Sequence, residues 1–514
     1  MKIEGAIERE WAAEVIKPDE FEKYLDRGRD FIDDRMIDFY LSAHKDPDPQ
    51  RIRDIISKSL GINTLLPEET ACLLNVRDEG VWGEIFEAAV KIKTKVYDNP
   101  VVTFAPLYCS NLCVNNCLYC GFRGENNIIK RRQLTMEEIK KEVEAVAGRI
   151  GHKRLIVVCG EHPFSGADYI CRIMREIYSV KVHPVNCSLP HRNIRGTACR
   201  GEIRRVNVNA APMSVDDLRK VKEAGIGTYQ VFQETYHPQT YTRLHPVNTI
   251  KGNYHWRLYA LHRAMEAGID DVAIGALFGL YDWRFEVMGM LCHARDLEEK
   301  FGVGPHTVSF PRIEPAANTP FVRQTGYGVS DRDFKRLVAV LRLSIPYAGM
   351  IITCRERPEM IRDLIPLCTQ RDASSRIGIG AYSDIYDEQE EERQQFILGD
   401  TRSLDEVIRE LASLGYITSF CTAGYRCGRT GGNIMTMLKS GKEGCLCKLN
   451  AVLTFQEWLE DFASLETKVI GEAMIAGESA EIEKRVPGDF SPELYRTFRE
   501  FHERIKNGER DLCF

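Results

Sequence analysis

The sequence predicts an α/β protein whose core is a (β/α)8 TIM barrel, flanked by an N-terminal helical extension and a mostly helical C-terminal domain. Three observations carry that expectation. Strand-like and helix-like segments alternate for over two hundred residues after Pro100, which implies a parallel sheet with helical crossovers. Residues suited to chemistry fall just after the strand-like runs, where a closed barrel keeps its site. The regions before Asn99 and after Leu404 read as mainly helical, without that alternation.

The elements follow in order. Ile85, Ala88, Ala89, Ile92 and Val96 recur at helical spacing and stop before Asn99-Pro100. Val101–Ala105 is a short β-rich run that leads into a cysteine cluster. A helix opens at Thr135, where Glu138 completes a capping box, and carries Ile139, Val143, Val146 and Ile150 on one face. Strand Leu155–Val158 precedes a helix through Ile170, Ile173, Met174 and Ile177. Strand Val206–Asn209 precedes a helix capped by Ser214 and ending at Ala224-Gly225. Then come strand Thr228–Gln233, a helix to Gly268, strand Asp271–Gly275, helix Phe285–Lys300, strand Thr307–Phe310, helix Ser330–Leu343 and strand Met350–Thr353. Val182–Arg200 reads as a surface excursion, and Asp387–Glu392 as a solvated acidic loop. The expected division is a helical extension over 1–99, the barrel over 100–370, and a C-terminal domain with a second cysteine group over 371–514.

At 514 residues the chain exceeds the size at which one core stops growing, so a large domain with appended pieces is expected. A formal net charge of −6 argues against a general nucleic-acid binder. No apolar run is long enough to cross a bilayer and no h-region follows Met1, so a cytoplasmic protein without membrane contact is expected. Seventeen cysteines, clumped in a chain of that kind, point to metal rather than disulfides. Cys72, Cys171 and Cys368 stand alone in apolar stretches and read as packing residues.

Cys113, Cys117 and Cys120 have the spacing CxxxCxxC. Three thiolates on a short loop can ligate three irons of a 4Fe-4S cubane and leave the fourth open to chelate S-adenosylmethionine (SAM). Zinc is the alternative, but it usually takes four ligands in two pairs. With Tyr119 before the last cysteine, the motif resembles the signature of the radical SAM superfamily; Cys109 lies outside the spacing. The resemblance implies that Glu161, in Cys159-Gly160-Glu161, accepts hydrogen bonds from the SAM amino group. It also implies that Arg257, preferred over Arg263, meets the SAM carboxylate with its two-pronged guanidinium. Among Asn207, Asn209, Gln230, Gln233 and Glu234 at strand ends, Glu234 is the best candidate for the ribose. Ser309 and Arg312, in Ser309-Phe310-Pro311-Arg312, suit the carboxylate of an amino-acid substrate. Gly378-Ile379-Gly380 lacks the last glycine and the strand–helix setting of a nucleotide loop.

From Pro106 to about Ala463 the chain resembles the tyrosine lyases, the HydG and ThiH (2-iminoacetate synthase) family, and most closely the HydG branch. The resemblance lies in Ile226–His237, Ala276–Trp283, Gly304–Arg312, Ser419–Ala423 and Gly428–Gly431. It implies cleavage of the Cα–Cβ bond of L-tyrosine to p-cresol and dehydroglycine, with a ferredoxin or flavodoxin as electron donor. In the HydG branch a second cluster then turns dehydroglycine into carbon monoxide and cyanide for hydrogenase maturation, with other maturation proteins as partners. That cluster's CxxC and distant third cysteine are matched here by Cys421 and Cys447, but Gly424 replaces the second cysteine. Cys427 and Cys445 are available to complete a rearranged set with Cys421 and Cys447, which could also close a cluster or bind zinc. His293 is the imidazole expected beside it. Three readings stay open: a maturase with a shifted ligand, a lyase without the diatomic step, and a lyase for another amino acid. A non-catalytic iron–sulfur scaffold would not need Glu161, Arg257 and Arg312 at strand ends.

Overall fold

The computed structural model describes residues 4–184, 201–383, 393–439 and 442–514. Eight parallel strands close into a barrel: β1 (Val101–Ser110), β2 (Arg154–Cys159), β3 (Arg205–Asn209), β4 (Tyr229–Gln230), β5 (Val272–Gly275), β6 (Thr307–Ser309), β7 (Gly349–Ile352) and β8 (Gln370–Asp372). β1 seals the ring, pairing through Ala105–Ser110 with β2 and through Val102–Phe104 with β8. The expected α/β barrel class is therefore the observed one.

A ninth strand sets where the second cysteine group lies. β9 (Thr418–Ser419) runs parallel to Val101–Val102 at the very start of β1. Val101 N–H donates to Ile417 O and Val102 N–H to Thr369 O of the opposite neighbour, so β9 occupies the edge that β2 takes further along. β9 thus delivers Cys421 to the base of the barrel, while β1 delivers Cys113 to its top.

Two strand assignments differ from expectation. β8 is only three residues long, too short to show a period, and it crosses the boundary expected at 370/371. β4 is two residues, because the chain after Gln230 leaves the ladder and turns at Glu234. The excursion expected over 182–200 and the acidic loop over 387–392 fall mostly or wholly outside the described residues.

Helices of the N-terminal extension, including Pro67–Leu74 and Glu79–Tyr97, pack on barrel helices Trp283–Phe301 and Asp331–Ser344. The C-terminal helix Lys442–Asp461 lies against Glu79–Tyr97 and β9. Its Glu457 is buried and takes ion pairs from Lys153 at 2.7 Å and Arg204 at 2.6 Å. Two cations around one buried carboxylate hold that carboxyl far below its usual range despite burial. Lys448, buried about two and a half turns earlier on the same helix, reaches Asp98, Glu478 and Glu481. These charges fasten the C-terminal helices to the rest of the chain.

Candidate active site

A cavity of about 240 Å³ opens at the carboxyl ends of the strands, and Cys113, Cys117 and Cys120 all line it. The loop that carries them follows β1 directly and is held by local bonds: Val114 N–H donates to Glu161 O, Cys120 N–H to Cys117 O, and Gly124 N–H to Asn115 O. Gln395 Nε2 donates to Cys120 Sγ at 3.6 Å and Asn115 Nδ2 to Cys113 Sγ at 3.9 Å. Gly160 lets the loop approach β2, because a Cβ there would sit 2.2 Å from Leu112 O. Burial raises the Cys117 thiol, so its thiolate form needs a cationic partner such as bound iron.

Glu161 faces this loop and is 6% exposed. One of its oxygens takes a hydrogen bond from Asn115 Nδ2, while Oε1 is buried with no partner. Burial raises its pKa, against Arg257 and Asn115. An unpaired buried carboxylate oxygen is costly, and an ammonium group in the cavity would satisfy it. Opposite it, Glu234 has φ +71°, a left-handed backbone held by the bridge to Ala276. Its carboxylate takes Lys251 Nζ at 2.7 Å and Arg257 Nη2 at 3.2 Å. Burial alone would raise the Glu234 pKa, but these two cations hold it below the usual value. Arg257 Nε also donates to Phe232 O at 2.7 Å. Tyr119 lines the cavity and donates its hydroxyl to His245 Nε2 at 2.7 Å, since His245 Nδ1–H is committed to Tyr241 O.

Several expected residues stand elsewhere. Arg312 does not line the cavity: its Nε and Nη2 grip Glu356, its Nη1 donates to Asp331, and it covers Phe334. Ser309 does line it. Beside Arg257, a second guanidinium lines the cavity, that of Arg355 just after β7; it makes no hydrogen bond among the described residues and lies on Phe396, 3.3 Å from the ring centre. Glu314 lines the same cavity, its pKa raised by burial to about 6. Arg263 stacks on Trp256 outside the cavity. Asn209 and Gln230 line it; Asn207 and Gln233 do not.

At the base of the barrel, Cys421 and Cys447 share a second cavity with Gly424, His306, Arg205 and Asp271. Cys421 has φ +46°, a left-handed turn that aims the residue after β9. Arg205 donates to Cys421 O at 3.4 Å and is paired with Asp271. His306 is buried, and its Nδ1 has no partner. The other residues expected there are absent from the cavity lining. Cys427 is exposed, at the end of the short helix Ala423–Arg426. Cys445 accepts from Arg485 Nη2 at 3.6 Å. His293 is buried in helix Trp283–Phe301, with Nδ1 on the Tyr236 hydroxyl at 2.9 Å.

Among the described residues no three His, Cys, Asp or Glu side chains converge as on one metal ion. The upper loop, with three thiols around a cavity mouth, an orphaned carboxylate oxygen and two cations, suits a cubane and SAM. The lower cavity, with two thiols and one imidazole, falls short of a three-thiolate cluster. No helix among the described residues is long and apolar enough to cross a membrane.

Residues 107–288 match the radical SAM superfamily and residues 309–417 the biotin and thiamin synthesis associated domain. A crystal structure of HydG, a maturase of the FeFe-hydrogenase, superposes with a TM-score of 0.85 at 45% identity, covering 94% of this chain and 100% of that one. HydG from Carboxydothermus hydrogenoformans superposes with a TM-score of 0.75 at 35% identity, over 91% and 97% of the two chains. The 2-iminoacetate synthase of Escherichia coli is 29% identical over 363 residues, 70% of this chain and 88% of that one.

Proposed function

This chain belongs to the HydG family of radical SAM enzymes, and on that premise we propose that its upper cavity cleaves L-tyrosine to p-cresol and dehydroglycine. The observation that carries the reading is one cavity holding three loop thiols, the unpaired Glu161 Oε1 and the Arg355 guanidinium stacked on Phe396. Bound there, a 4Fe-4S cluster supplies the electron that splits SAM into methionine and a 5′-deoxyadenosyl radical.

The chain's own residues do the rest. Cys113, Cys117 and Cys120 hold the cluster. Glu161 takes the SAM ammonium on Oε1, and Arg257, braced by Glu234 and Phe232 O, faces the SAM carboxylate. Tyr119, fixed through His245, forms the wall beside the adenosyl moiety. Arg355 anchors the tyrosine carboxylate by a charge-assisted pair, with Ser309 beside it. A hydrogen atom of the tyrosine amino group would pass to the 5′-deoxyadenosyl carbon, giving 5′-deoxyadenosine, and the nitrogen-centred radical left behind would break Cα–Cβ. Dehydroglycine leaves, and the p-hydroxybenzyl fragment takes one electron and one proton to become p-cresol. A one-electron donor of the ferredoxin or flavodoxin type feeds the cluster. The assigned reaction stops at dehydroglycine, because the lower cavity presents two thiols where a three-thiolate cluster needs three. The reading is tested by anaerobic turnover of the reconstituted protein with SAM, dithionite and tyrosine: 5′-deoxyadenosine with p-cresol supports it, and 5′-deoxyadenosine without p-cresol overturns the substrate.

A further inference from the structure

We infer that the lower site of this chain is a two-thiolate site, in which Cys421 and Cys447 supply all the sulfur and neither Cys427 nor Cys445 stands in for the cysteine missing at Gly424. The inference concerns metal retention at the base of the barrel. It rests on the family reading only for the expectation that iron is bound there.

Helix phase excludes Cys445. It lies two residues before Cys447 on the helix Lys442–Asp461. Successive residues turn about 100° around a helix, so the two side chains point about 200° apart. Cys447 faces the cavity, and Cys445 faces Arg485, which is itself held by Asp98 at 2.7 Å and Asp489 at 2.8 Å. Turning Cys445 inward would turn Cys447 out.

A tethered chain end excludes Cys427. It caps the short helix Ala423–Arg426 and is exposed. The preceding Arg426 grips both oxygens of Asp511, at 2.6 and 2.7 Å, and Arg429 Nη1 donates to Phe514 O at 2.9 Å. Phe514 N–H donates in turn to Asn450 Oδ1 at 2.9 Å. Arg426 Nη2 also donates to Cys513 Sγ at 3.8 Å within this clasp. Bringing Cys427 into the cavity would break a bidentate ion pair and undock the C-terminus.

The lining also holds His306, with Nδ1 unpaired, and Asp271, with Oδ1 unpaired, but neither converges with the two thiols as on one metal ion. A cubane held by two thiolates would have two irons without a protein thiolate, both open to exogenous ligands and to chelators.

The test is iron retention by the anaerobically reconstituted holoprotein after a bathophenanthroline disulfonate challenge and desalting. The wild type is expected to keep about four irons per chain, those of the upper cubane. C427S and C445S should match it, and G424C, with the third thiolate restored, should keep about eight. Three results overturn the inference: a wild type that keeps about eight; a C427S or C445S protein that keeps less iron than the wild type; or a G424C protein with the wild-type melting temperature that keeps no more than the wild type. If G424C does not fold, the first two comparisons decide. The readout does not depend on p-cresol, so failure of the tyrosine reading leaves it intact.

Discussion

Replacing Arg355 and Arg312 separately should produce opposite kinds of damage. Arg355 faces the upper cavity and donates no hydrogen bond among the described residues, so Arg355→Ala costs the fold only the stacking on Phe396. A bound tyrosine would lose two charge-assisted hydrogen bonds, each worth about 1.5–3 kcal/mol. The loss of about 3–6 kcal/mol is a fall of roughly 10²- to 10⁴-fold in kcat/KM for tyrosine. Cleavage of SAM in the absence of tyrosine should persist, since Glu161 and Arg257 are untouched. Arg312→Ala instead strips the buried Glu356 of its bidentate partner. Breaking a buried pair from one side costs about 3–5 kcal/mol of stability. Its KM for tyrosine should stay near that of the wild type. The assay is p-cresol release against tyrosine concentration, alongside urea unfolding of both proteins. An Arg355→Ala enzyme with an unchanged kcat/KM, or an Arg312→Ala enzyme of normal stability and raised KM, would refute the assignment.

Three further outcomes are expected. Gly160→Ala puts a Cβ 2.2 Å from Leu112 O and 3.2 Å from the Cys113 Cβ, so the cluster loop must shift by about 1 Å. A shift of that size should cost about 10²-fold in 5′-deoxyadenosine formation, and full activity would show that the loop yields freely. Glu457→Ala leaves Lys153 and Arg204 buried without their shared carboxylate and should cost about 3–5 kcal/mol, read as a lower urea midpoint; an unchanged midpoint would contradict the clamp. Burial lowers His152 to about 4 and His293 to about 3 from the ordinary 6.5. The folded state therefore resists protons that the unfolded chain accepts. The stability these groups supply is complete above pH 6.5 and is lost as pH falls toward 4 and 3. Each should cost about 2 kcal/mol at pH 5, and His293→Asn should remove its share of the difference between urea midpoints at pH 7 and pH 5. An unaltered difference would count against neutral burial of His293.

The parts of the site that sequence alone reveals are those fixed by neighbours along the chain. Cys113, Cys117 and Cys120 sit on one loop, and Glu161 follows its strand by two residues, so spacing is enough to find them. Arg312 and Arg355 both follow barrel strands and look alike in sequence. What separates them is Glu356, which lies beside Arg355 in the chain yet captures Arg312 across the fold. His306 and His293 differ in the same way. One immediately precedes β6 at the base of the barrel, in the cavity of Cys421, and the other is locked inside a helix by Tyr236. Cys445 and Cys447 stand two positions apart on one helix and so do not share a face. The C-terminal clasp that fixes Cys427 joins positions more than eighty residues apart, and no local pattern announces it.

Turnover of the anaerobically reconstituted protein with SAM, dithionite and L-tyrosine, set beside that of Cys117→Ala, tests the central claim most directly. The wild type is predicted to form 5′-deoxyadenosine and p-cresol together, and Cys117→Ala to form neither. Formation of 5′-deoxyadenosine by the variant, or its formation by the wild type with no p-cresol, would contradict the account.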